Sequence, residues 1–179
     1  MTNEEMIAAA VRKGFSAAAV IDTEKIVFDP SFRPYCEENL CGQYGVNYAC
    51  PPDCGTPEQM KQKILAHKHA LVLESMCQIQ DMEDNAAFKQ GKRTHNTASV
   101  ALMKEFRAAG IPGFLVGSGG CSLCSPCKLK TGEPCAFPEY RFSCMSAYCI
   151  FVKKLADLCE MEYVCPPGLI TFYGMYVFD

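Results

Sequence analysis

The sequence predicts an α/β fold, a single domain built on one mixed sheet of four to six strands flanked by helices, with two cysteine-rich loops at one edge or end of the sheet. Three observations lead there. Segments with strand character alternate with segments of helical periodicity along residues 1–179, and no linker divides them. The 179 residues are 49% hydrophobic and 21% charged, which suits one sizeable core. Of the 13 cysteines, eight gather in two loops rather than spreading through the chain.

The elements follow in order. Residues 3–13 read as an amphipathic helix with Met6, Ile7, Ala10 and Val11 on one face and Gly14 just past its end. Residues 17–21 and 26–28 read as two short strands around the polar turn Asp22-Thr-Glu-Lys25. Pro30 and Pro34 mark residues 29–35 as a loop without regular helix. Thr56-Pro57-Glu58-Gln59 opens a helix, with Thr56 as N-cap, Pro57 at N1, Gln59 closing a capping box, and Met60, Ile64 and Leu65 on its apolar face. His67 and His69 near its end read as dipole compensation rather than as ligands. Residues 70–79 form a buried strand with Leu71, Leu73, Cys77 and Ile79 on one side, Cys77 acting as a small hydrophobe.

Residues 84–109 are mostly helical, with a stripe of Val100, Ala101, Leu102, Met103 and Phe106 and a candidate break at Gly91. Lys89, Lys92 and Arg93 read as a solvated face. Residues 114–116 are a short strand that feeds a glycine run, residues 138–143 a loop, residues 149–158 a helix and residues 162–167 a turn. Tyr163-Val-Cys165-Pro-Pro167 echoes Tyr48-Ala-Cys50-Pro-Pro52, too briefly to count as a repeat. Residues 169–178, rich in β-branched and aromatic side chains, are a final strand expected in the middle of the sheet.

The chemistry lies in the two loops, which read as cluster-binding. Cys121, Cys124, Cys127 and Cys135 are spaced C-x2-C-x2-C-x7-C. Three thiolates so close in sequence fit poorly around one small ion, but they can wrap the corners of a larger inorganic core, as the C-x2-C-x2-C run of bacterial ferredoxins wraps a 4Fe–4S cube. Gly117-Ser-Gly-Gly120 lets backbone approach such a core, and Thr131-Gly-Glu-Pro134 turns the chain back for the fourth thiol. Cys36, Cys41, Cys50 and Cys54 form a second candidate metal or cluster group, spaced C-x4-C-x8-C-x3-C, with Pro51-Pro52 after Cys50. Cys54 is its most marginal member, and without it the site keeps an open position. Cys144, Cys149 and Cys159 read singly as packing or spare thiols.

Composition excludes several classes. A net charge of −3 gives no nucleic-acid footprint and no polybasic membrane patch. No apolar run reaches the roughly 18–20 residues of a membrane span. Met1-Thr-Asn-Glu-Glu reads as a helix start rather than a signal peptide, so reduced, metal-bound cysteine in a cytoplasm is expected instead of disulfides. A radical-SAM triplet would need cysteine where Pro57 stands. A thioredoxin-like pair fits poorly with four cysteines on one loop. The chain shows no Walker loop, no nucleophile elbow and no histidine-rich hydrolase motif.

Four stretches together resemble a known family: Arg33-Pro-Tyr-Cys36; Cys41-Gly-Gln-Tyr-Gly45-Val-Asn47-Tyr-Ala-Cys50-Pro-Pro52; Gly117-Ser-Gly-Gly-Cys121-Ser-Leu-Cys124-Ser-Pro-Cys127; and Glu133-Pro-Cys135-Ala-Phe-Pro138-Glu139. They are similar to DUF2284, a family of predicted metal-binding proteins from anaerobic bacteria and archaea. Ala136 stands where that family usually has arginine, and Cys144 lies where it usually has proline. The resemblance implies a metal, iron–sulfur in character, and no established reaction. The leading expectation is a cytoplasmic iron–sulfur protein with one or two 4Fe–4S clusters, serving electron transfer or redox support in anaerobic metabolism with a redox protein as partner. The alternatives are a structural zinc-binding interaction module, zinc being also a substitute metal in the same sites, and a metal-dependent enzyme with its open site at the first cysteine group.

Overall fold

The computed structural model describes residues 1–179 apart from Gln80, Met82, Val164 and Cys165. Five strands make its centre: β1 (Ala17–Asp22), β2 (His69–Gln78), β3 (Gly113–Gly117), β4 (Ser143–Cys144) and β5 (Leu169–Phe178). Their order is β1-β2-β5-β3-β4. All neighbours are antiparallel except β3 and β4, so the sheet is mixed, as expected. The final strand does take the middle place. It pairs with β2 over its whole length, from His69 opposite Phe178 to Gln78 opposite Leu169.

Alternation along the strands splits the core into two faces. Leu71, Leu73, Leu115, Tyr176 and Phe178 point toward helices α1 (Asn3–Arg12) and α4 (Asn85–Ala108), meeting Met6, Ala9, Leu102, Met103 and Phe106. Ala70, Val72, Val116, Met175 and Val177 point the other way, toward Met60 and Ile64 of α3 (Pro57–Leu65) and Leu155 and Ala156 of α5 (Val152–Leu158). Helices therefore cover both faces, and β5 is buried from either side.

Local chemistry explains the helix ends. Thr2 and Glu5 cap α1 reciprocally, and Thr56 and Gln59 cap α3 in the same way. After α1, Gly14 takes φ +93°, its N–H donates to the Val11 carbonyl and the Phe15 N–H donates to that of Ala10, a Schellman ending. Among the described residues no helix is long and apolar enough to cross a membrane.

Five expectations change. Residues 26–28 are not a strand: Thr23–Lys25 is a 3-10 turn, and only Phe28 forms an isolated bridge, with Ile150. Ile26 is buried because it packs under the sheet, not because it pairs in it. Pro30 and Pro34 do not forbid helix. Asp29 caps a 3-10 turn, Pro30–Phe32, and α2 (Arg33–Glu37) follows with Pro34 in its first turn, where its missing N–H has no partner to lose. Gly91 does not break α4, since the helix runs unbroken through it. A Cβ there would lie 2.7 Å from Phe172 Cε2, so glycine serves close packing of helix on sheet. Ser143 leaves the expected loop to pair with Val116 as part of β4, and the last helix begins at Val152 rather than at residue 149. The echo around Cys165, and with it part of the turn at 162–167, lies outside the described residues.

Candidate metal centre

Both cysteine loops sit at the β3–β4 end of the sheet. The chain leaves β3 at Gly117, whose neighbour on β4 is Cys144. A Cβ at Gly117 would fall 2.4 Å from Phe142 Cδ2, so the chain can leave the sheet here only as glycine. Asn96 of α4 then clamps the start of the loop. Its side-chain amide donates to the Ser118 carbonyl at 2.8 Å, and its oxygen accepts the Ser118 N–H at 2.9 Å.

Beyond that clamp, Cys121, Cys124, Cys127 and Cys135 line one pocket, with Leu123 and Phe137 supplying apolar wall and Asn47, Tyr48 and Arg141 completing it. The sequence placed these four thiols together, and the structure gathers them. A 3-10 turn, Lys128–Thr131, ends at Gly132 with φ +69° and returns the chain to Cys135. Burial pushes the Cys121 thiol up, the N–H groups of Leu123 and Phe142 oppose this, and the neighbouring Cys124 and Cys135 add to it.

The first group meets the second loop at Cys50, beside Gly120. Cys36 lies on α2 and is half-buried, Cys50 is buried, Cys54 is half-buried and Cys41 is exposed. Burial raises the Cys36 thiol to about 11, with Cys144 the next cause and the Arg33 guanidinium opposing. Burial also raises Cys50, followed by Cys144, Cys41, Cys54 and Cys36. Cys54 is raised by burial and drawn back by Arg33. Cys144 is raised by burial, and the N–H groups of Ala147 and Ser146 oppose this by hydrogen-bonding to it. Raised thiols are poor nucleophiles but good partners for a cation that supplies the missing positive charge.

The two loops interlock. Asn47, only 3% exposed, donates to the Cys121 carbonyl at 3.0 Å and accepts the Ala49 N–H at 3.0 Å. The Tyr48 hydroxyl donates to the Glu133 carbonyl at 2.9 Å, two residues before Cys135. A Cβ on Gly120 would lie 3.3 Å from Cys50 Sγ, so the glycine run presses directly on the first group. Arg33, 8% exposed, donates from its two terminal nitrogens to the carbonyls of Gly55 (3.0 Å) and Ala147 (2.8 Å), while its Nε–H has no partner among the described residues.

Every described cysteine is a free thiol. Among the described residues no three His, Cys, Asp or Glu side chains converge on one point as a single metal ion would require; the thiols of the second loop line a pocket wall instead. The donor set of that pocket, four thiols with almost no competing oxygen ligand, fits a thiophilic metal or an iron–sulfur core and does not fit a hard cation. His67 and His69 take no part. His67 pairs with Asp179 beyond α3, and His69 opens β2 beside Asp22.

Sequence reasoning missed Asn96 and Arg141, which no motif signals. Fold and site together define a cysteine-rich α/β protein in which four thiols line one pocket. Residues 19–178 match the DUF2284 family, described as a predicted metal-binding protein, and the chain belongs to that family. No curated protein and no solved structure matches it.

Proposed function

We propose that this protein is a cytoplasmic iron–sulfur protein that moves electrons, or supports redox chemistry, in anaerobic metabolism, passing them to or from a redox protein partner. Cys121, Cys124, Cys127 and Cys135 would hold one 4Fe–4S cluster, and the group around Cys36, Cys41, Cys50 and Cys54 a second. One observation carries the reading: four thiols at ferredoxin-like spacing share a single pocket wall, and that pocket is bolted by Asn47 to a second group of thiols. Three thiols two residues apart suit the corners of a polynuclear core better than one small ion.

When bound, such a cluster supplies one-electron redox chemistry at a potential set by charge, hydrogen bonds to sulfur and exposure. The chain provides each of those settings. Leu123 and Phe137 give the pocket apolar lining, and the N–H groups of Leu123 and Phe142 reach the Cys121 sulfur. Arg141 places a positive charge in the wall. Contact between Gly120 and Cys50 keeps the two thiol groups adjacent, as electron passage between them requires.

The experiment is purification without oxygen, followed by iron and sulfide assay and by EPR after dithionite reduction. Brown protein with iron and sulfide in about equal amounts and a reduced-cluster EPR signal is expected. Colourless protein carrying stoichiometric zinc would reject the reading in favour of a structural zinc module.

A further inference from the structure

The two edges of the sheet are built differently. At one edge β4 is two residues long, and so short a strand offers little to pair with. At the other, β1 runs six residues, Ala17–Asp22. Edge strands are usually blunted by proline, by lysine or by an inward-pointing charge. Residues 17–21 read Ala-Ala-Ala-Val-Ile and carry none of these. All five are half-buried, so the strand meets solvent along its outer side.

The register shows which backbone groups face outward. Thr23 N–H donates to the Lys68 carbonyl, and Ala17, Ala19 and Ile21 stand opposite Glu74, Val72 and Ala70 in the same phase. These odd-numbered residues turn their N–H and C=O groups to β2, so the even-numbered ones turn theirs away. The N–H groups of Ala18, Val20 and Asp22 and the carbonyls of Ala18 and Val20 have no partner among the described residues. On the α1 side, Ile7 borders the same buried cluster as Ala18 and Val20, and Val11, one turn further along that helix, is 54% exposed. Charge also differs between the two ends of the strand. Lys13 pairs with Glu105 and Lys25 with Asp22. That leaves Arg12 before the strand and Glu24 after it without an ion-pair partner among the described residues. Antiparallel pairing with an identical strand brings those unlike ends together, whereas parallel pairing would set like beside like.

We propose that β1 is a docking edge for a second copy of this chain, the two strands pairing antiparallel about a twofold axis at Val20. This register engages all three outward-facing residues. Val20 exchanges both backbone bonds with its counterpart, and Asp22 N–H donates to the Ala18 carbonyl of the other copy. Arg12 of each copy then lies toward Glu24 of the other. Two five-stranded sheets become one continuous sheet of ten strands. The cysteine loops, at the β3–β4 end, are left at the two far edges of that sheet and stay open to other partners. The dimer does not depend on what those loops bind.

The test uses the full-length chain, kept reduced and without oxygen so that no disulfide joins two copies. Sedimentation velocity over a dilution series should show a species of twice the chain mass that dissociates on dilution. Val20→Pro removes an outward N–H and leaves the ladder to β2 whole. It deletes two symmetry-related bonds from the dimer and should weaken association by about thirtyfold or more. Circular dichroism checks that the variant is folded. Amide hydrogen exchange of the wild type, resolved by residue, gives a second reading that needs no variant. At high concentration the N–H groups of Ala18, Val20 and Asp22 should be protected along with those of Ala19 and Ile21. On dilution the first three should lose protection while Ala19 and Ile21, bonded to β2, keep theirs. A wild-type chain that stays monomeric at near-millimolar concentration would overturn the proposal. So would a folded Val20→Pro protein that dimerises as tightly as wild type, or exchange at Ala18, Val20 and Asp22 that does not change with concentration.

Discussion

Asn47 offers the most direct test of how the two loops are joined. Its side chain sits between them and is almost wholly buried. Replacing it with alanine leaves the Ala49 N–H, in a residue 1% exposed, without its acceptor. It also leaves the half-buried Cys121 carbonyl without its donor. An orphaned buried group costs about 1–3 kcal/mol, so the two together should cost about 3 kcal/mol, with the carbonyl at the low end because water can reach its residue. With a urea m-value of about 2 kcal/mol/M, the unfolding midpoint of Asn47→Ala should fall by about 1.5 M. Gln43→Ala is the control. It removes only the exposed-side bond to Asn47 Nδ2, 3.2 Å long, and should cost about 0.5 kcal/mol. Urea unfolding under anaerobic conditions, followed by circular dichroism, reads both. If Asn47→Ala unfolds within about 0.5 kcal/mol of wild type, the loops are not held by this residue and the interlocking described above is wrong.

Two further outcomes follow from the buried polar groups. Arg33→Met removes the donor to the Gly55 and Ala147 carbonyls and the cation beside Cys54, so it should lower stability by about 2–4 kcal/mol and speed metal loss to a chelator from the N-terminal group alone; equal chelation rates in variant and wild type would refute a role for that charge. His95, 1% exposed and hydrogen-bonded through Nδ1 to Ser75, has its pKa pushed down to about 4 by burial, against about 6.5 unfolded. Between those pH values the unfolded chain takes up a proton that the native protein refuses. The contribution is therefore whole above about pH 6.5 and is lost as pH falls toward 4, by up to about 3 kcal/mol. His95→Gln should flatten the stability profile across that window relative to wild type, and parallel profiles would dismiss the assignment.

Much of this protein was legible from spacing alone. Gly14 ends α1 and Thr56 with Gln59 starts α3 because capping needs only residues a few positions apart. The strand at 169–178 lies centrally because its alternate residues are apolar on both faces, which only a strand covered on each side requires. The thiols at 121, 124, 127 and 135 share a pocket for the same reason: their separation along the chain already keeps them within one loop. Local rules misled where neighbours in space decided. Ile26 looks like strand but finds its apolar cover without a strand partner, and Gly91 looks like a break but makes room for Phe172.

The sequence by itself therefore determined the helix ends and one loop of four thiols, which rest on residues close in the chain, and the layered class of the fold, which rests on the alternation of strand and helix patterns. Tertiary structure alone decided that Asn47 would join the loops, that Arg33 would be buried between Gly55 and Ala147, and that Cys144 would pair beside Gly117. Those meetings depend on strand order, above all on β4 lying beside β3. A pairing of only two residues has too little periodicity to announce itself in the sequence.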